Sequence, residues 1–188
     1  MWRQTIPINA TQVHSWPTFD IYQREQELFD GSYKTFELAR MADAVKVLLI
    51  DIQEQKIIMV QDEQPGLTRL TFAGWLVEQG ENLLEAAARE VEEETWYHYT
   101  RIEHIVSLPY THRVVGETHY YIASWLMKTD TANPDRWSER ITLLSYSFDE
   151  FIDYICNPEY HSYFSYYIIT TYIITHQQNK LKKLLFWE

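Results

Sequence analysis

Short apolar runs separated by polar clusters dominate the first half of this 188-residue chain, and they read as strands. Ala44 to Ile50 and Lys56 to Val60 are two such runs, divided by the polar Asp51-Ile-Gln-Glu-Gln. They predict an antiparallel hairpin. Asp30-Gly31 and Gln64-Pro65-Gly66 predict turns. After Glu81 the period changes: Leu83, Ala86, Ala87 and Val91 fall on one face of a helix that ends near Thr95. Asn82 is its cap, and Glu85 closes a capping box. Further strands are expected over Ile102 to Leu108, His119 to Met127 and Ile141 to Ser147, with a short helix from Phe148-Asp149 to near Asn157-Pro158. Tyr163 to Leu185 supports two readings. Its β-branched residues favour a strand, whereas its length and the Lys180-Leu-Lys-Lys-Leu-Leu ending favour a helix. Mixed strands with few helices predict an α+β chain.

Composition narrows the class of partner. The net charge is −11, which argues against nucleic-acid or anionic-membrane binding through electrostatics. An anionic substrate then needs local cations, from metal or from a few Arg and Lys. Cys156 is the single cysteine, so an internal disulfide is excluded and a reducing compartment is compatible. The N-terminal Met1-Trp-Arg-Gln-Thr-Ile-Pro lacks the apolar core of a signal peptide. Tyr160 to Asn179 carries no Asp, Glu, Lys or Arg, but it is too rich in Ser, Thr, Tyr, His and Gln for a membrane span. The expectation is a soluble cytoplasmic protein.

The candidate chemistry sits on the capped helix. Glu90 and Glu94 lie one turn apart on the same face, where like charges repel. A hard divalent cation such as Mg²⁺ would relieve that repulsion. A Glu-rich stretch such as Glu92-Glu93-Glu94 is by itself an ordinary solvated face. The wider register is more specific: Glu81, seven residues, then Arg89-Glu90-Val91-Glu92-Glu93-Glu94-Thr95.

That register, preceded by Ala73-Gly74-Trp-Leu-Val-Glu-Gln-Gly80, resembles the box of the Nudix hydrolase family, nearest its ADP-ribose pyrophosphatase branch. The resemblance implies an α/β/α sandwich with a mixed sheet, spanning residues 41–188 with C-terminal helices. Residues 1–40 would form a β-rich lead-in available for homodimerisation. It implies Mg²⁺, or Mn²⁺, as cofactor and a small nucleotide as substrate. Glu90 and Glu94 would be metal ligands, joined by Glu81 and the backbone carbonyl of Gly74. Glu93 would stand beside them, and Arg89 would orient a carboxylate of the cluster. Glu117, before a strand, would act as general base or further ligand. Arg69, His112 and Arg113 would contact phosphate.

The chain departs from the family pattern at two positions. With Glu81 setting the register, Trp75 stands at the first box glycine, and Trp96 replaces the closing glycine. A left-handed backbone at Trp96 would cost roughly 1–2 kcal/mol, so the helix is expected to exit differently. The activity implied is hydrolysis of a nucleoside diphosphate linked to another moiety, such as ADP-ribose. A triphosphate pyrophosphohydrolase and a non-cleaving nucleotide sensor are the alternatives.

Overall fold

The computed structural model describes residues 5–110, 113–129, 140–160 and 163–186. Among them, β1 (Thr11–Ser15), β2 (Phe19–Glu27), β3 (Tyr33–Met41) and the two-residue β8 (Val114–Val115) form one sheet in the order β1-β2-β3-β8. The second sheet holds β4 (Ala44–Asp51), β5 (Lys56–Gln64), β7 (Tyr97–Pro109), β9 (Glu117–Lys128) and β10 (Arg140–Tyr146) in the order β10-β5-β4-β9-β7. β6 (Leu67–Thr71) pairs with β5 outside that path. The expected hairpin is β4–β5, and both expected turns form. β4 and β9 run parallel while their other partners are antiparallel, so the sheet is mixed.

Two apolar layers flank this sheet. On one side Val45, Val47, Leu49, Tyr121 and Ala123 pack against Ala86, Ala87 and Val91 of α1 (Leu83–Thr95). On the other, Leu48, Ile50, Met59 and Ile122 pack against α2 (Phe148–Cys156), α3 (Tyr163–Ile168) and α4 (Gln178–Phe186). The result is the expected α/β/α sandwich. The ambiguous tail resolves as helix, with a π-turn over Ile169–Ile173. Phe164, Ile168 and Tyr172 recur at helical spacing and bury one stripe against the sheet. Among the described residues no helix is long and apolar enough to cross a membrane.

One detail of the sheet positions everything that follows. β4 pairs with β5 only near their shared hairpin, from Leu49 to Asp51. Beyond it the strands diverge, and the chain after β6 enters the gap. There Ala73 bridges Val47, Leu76 bridges Ala44, and the Val45 and Val47 amides donate to the carbonyls of Trp75 and Ala73. Residues 73–76 are thus pinned against the start of β4, beneath the C-terminal half of α1.

Candidate active site

α1 begins as its sequence predicts. The Asn82 side chain accepts from the Leu84 and Glu85 amides, and the Asn82 amide donates to the Glu85 carboxylate. Its C-terminus differs from expectation. Trp96 does adopt the left-handed conformation, at φ 56° and ψ 31°, and its amide donates to the Glu92 carbonyl. The Trp96 carbonyl accepts from Thr129, so tertiary contacts hold a backbone that glycine would adopt at lower cost.

Arg89 organises the outer half of the acidic cluster. Its guanidinium grips Glu81 through two bonds of 2.9 Å each, reaches Glu90 at 2.6 Å, lies 3.5 Å from Glu93, and donates to the Leu76 carbonyl at 3.3 Å. Such a fork fixes several carboxylates with one cation. Arg89 holds the Glu81 carboxyl below its usual range, and the guanidinium's own pKa is raised by the same bonds. Removing the guanidinium would leave the buried Glu90 without its donor. Arg89→Met is therefore expected to destabilise the metal-free protein by about 2–4 kcal/mol, read as a lower urea midpoint. A midpoint equal to wild type would mean the fork is only a surface contact.

The inner half is assembled differently. The Gly74 amide donates to Glu94 at 3.0 Å. Burial pushes the Glu94 carboxyl up to about 7 and raises Glu90 as well. The Gly74 carbonyl, expected as a metal ligand, accepts from the Lys46 ammonium, which also reaches the Phe72 carbonyl at 3.2 Å. Lys46 and Arg69 both approach the exposed Trp75 ring, at 5.8 and 5.9 Å from its centre. Arg69 is in turn paired with the buried Asp62 at 3.0 Å. Arg69 thus reaches the edge of the cluster through Trp75 and Asp62.

Lys46 and Asp62 escaped the sequence reading, although a signal was present. Both are charged residues within apolar or half-buried central strands, where an ionised group requires a partner.

The remaining candidates lie toward the N-terminal sheet. Glu117 opens β9, and its amide donates to Asp43 at 2.9 Å. Asp43 lines an open cleft of about 850 Å³ together with Thr18, Leu76, Glu78 and Glu81, so of the acidic cluster Glu81 faces this cleft. His119, at 7% exposure, pairs with Ser107 at 2.7 Å through Nδ1, and its buried Nε2 lies 3.6 Å from Asp43 without a hydrogen bond. Arg113 is exposed, its carbonyl accepting from the Ala39 amide. His112 lies outside the described residues.

The donor set of Glu90, Glu94, Glu93 and Glu81 consists of hard carboxylate oxygens. Burial raises the Glu90 and Glu94 carboxyls even with Arg89 and Lys46 close by. Oxygens of that type are what a hard divalent cation takes, although as the side chains stand no three of them converge closely enough to hold an ion among the described residues.

Residues 40–163 match the family model described as NUDIX domain. A curated relative, "Methanol dehydrogenase activator" from Bacillus methanolicus, is 29% identical over 151 residues, covering 79% of this chain and 81% of the relative. Among solved structures, "Crystal structure of ADP compounds hydrolase" aligns with a TM-score of 0.69 at 17% identity, over 96% of this chain and 97% of that one. This similarity concerns the fold.

Proposed function

The chain belongs to the NUDIX domain family, and from that premise we propose that it is a divalent-metal-dependent hydrolase of nucleoside diphosphates linked to a second moiety, with ADP-ribose as the model substrate. The observation that carries the proposal is the Glu81–Arg89–Glu90–Glu93–Glu94 cluster beside an open cleft. Mg²⁺ is the proposed ion and Mn²⁺ its substitute, held by Glu90 and Glu94 with Glu81 and Glu93 nearby. When bound, such an ion neutralises diphosphate charge and lowers the pKa of water.

The protein's own groups do the rest. Arg89 keeps Glu81 and Glu90 aimed and separated, so their charge is in place before substrate arrives. Glu117, at the cleft's Asp43 side, is the proposed base that takes a proton from the attacking water. Arg69, with His112 and Arg113, is proposed to bind phosphate oxygens. The exposed Trp75 face beside Arg69 offers a surface on which a base can stack. Water adds to one phosphorus, the bridging P–O bond breaks, and a nucleoside monophosphate and a phosphorylated partner leave. Dimerisation through the N-terminal sheet, and a cytoplasmic setting, are part of the same proposal.

A substrate panel with Mg²⁺ tests this reading. ADP-ribose and related diphosphates are expected to exceed nucleoside triphosphates by about 100-fold or more in kcat/KM, and EDTA is expected to abolish turnover. A triphosphate preference would make the protein a pyrophosphohydrolase instead. A second reading is favoured by the Lys46 ammonium on the Gly74 carbonyl beside the cluster and by the curated relative's being called an activator of another enzyme. It is a nucleotide sensor that binds without cleaving. Calorimetry showing tight nucleotide binding, with intact ligand recovered after hours, would establish it.

A further inference from the structure

Lys46 is a charged residue where the strand around it is apolar. Val45 and Val47 on either side are fully buried, and the side chain between them crosses the gap between β4 and β5 to the inserted segment. Its ammonium donates to the carbonyls of Phe72 and Gly74. Glu94, Glu90 and Asp62 are the negative charges around it, Arg69 the like charge, and the Trp75 ring faces it from 5.8 Å.

Gly74 links this cation to the acidic cluster. Its N–H donates to Glu94 and its C=O, in the next peptide group, accepts from Lys46. A peptide carbonyl is, like a carboxylate, a donor type that hard divalent ions take, and here the Gly74 carbonyl is held by an ammonium. Two cations drawing on the same few oxygens repel across a short, partly desolvated distance.

We propose that Lys46 is an internal competitor of the divalent ion: its ammonium holds the carbonyl of Gly74, the residue whose amide binds Glu94, and ion binding must displace or repel it. Lys46 thereby sets a weak affinity for the ion, so occupancy of the site follows the free ion concentration. The inference rests on the metal reading given above, and its test separates the two.

Mn²⁺ binding, followed by electron paramagnetic resonance of the free ion without substrate, is compared among wild type, Lys46→Met and Lys46→Gln. Met keeps the apolar stem and removes the charge. Gln retains a donor for the carbonyls and guards against a Met variant that fails to fold, with circular dichroism as the check. The expected result is a dissociation constant lower by about tenfold or more in each folded variant. Isotherms that coincide with wild type would overturn the role of Lys46 while leaving the metal site standing. Absence of bound Mn²⁺ in every folded form would remove the metal site itself, and the competition with it.

Discussion

Glu94→Gln is expected to lower diphosphate hydrolysis by about 10³-fold, roughly 4 kcal/mol in the barrier, while the variant folds normally. The amide keeps an oxygen that can accept from the Gly74 amide, so the contact pinning α1 to the inserted segment survives. What disappears is the negative charge that balances a cation. A variant with wild-type turnover in Mg²⁺ would refute the assignment of Glu94 as a ligand.

The same substitution has a pH signature. Burial raises the Glu94 carboxyl from 4.5 to about 7, so in the ion-free fold it stays protonated where an unfolded chain would ionise. The unfolded state therefore binds fewer protons between those values, and this group's contribution to stability is greatest at low pH and lost as pH rises toward 7. Ion binding has the opposite slope, because the ligand must be deprotonated: affinity should climb through pH 7 and level off above it. In Glu94→Gln both dependences should flatten. At pH 8 in EDTA its urea midpoint should lie at or above that of wild type.

How much of this was legible beforehand depends on how local each signal is. The capping box at Asn82 and Glu85 and the apolar face of α1 depend on neighbours within one or two turns, and they were read correctly. The β4–β5 hairpin was equally local. The tail after Tyr163 was ambiguous because β-branched residues and helical length point opposite ways. Packing of Phe164, Ile168 and Tyr172 against the sheet decided for helix, a tertiary effect that overrides propensity. Trp96 failed for a related reason. The steric cost of a left-handed backbone predicts a different exit, whereas the structure adopts that backbone, with the Trp96 carbonyl accepting from the amide of Thr129, distant in sequence. The spacing of Glu81, Arg89, Glu90, Glu93 and Glu94 fixed their proximity, because one helix and its preceding loop carry them all. Lys46 belongs to another strand, and only the diverging sheet brings it to Gly74. A charged residue in a central strand signals that a partner exists without naming it.

Gly74→Ala is expected to be the most damaging single methyl addition in the described chain. Gly74 has φ 129°, a conformation that L side chains rarely adopt, and a Cβ built there would lie 2.2 Å from the Val45 carbonyl oxygen and 2.9 Å from its carbon. Those are backbone atoms of a central strand, so no side-chain rotation relieves the overlap. The inserted segment would have to leave β4, breaking the bridges at Ala73 and Leu76 and carrying the Glu94 and Lys46 contacts with it. Overpacking and a disallowed backbone together are expected to cost roughly 3 kcal/mol or more, a fall in melting temperature of about 6–12 °C. Gly80→Ala separates the two causes. Gly80 also has a positive φ, of 88°, yet a Cβ there meets nothing within 4 Å. It should cost only about 1–2 kcal/mol, the backbone part alone. If the two variants melt together, the steric argument fails. If Gly74→Ala melts far lower and binds Mn²⁺ poorly even below its transition, then the glycine beside Trp75 serves the close approach that this box requires, one position earlier than the family register places it.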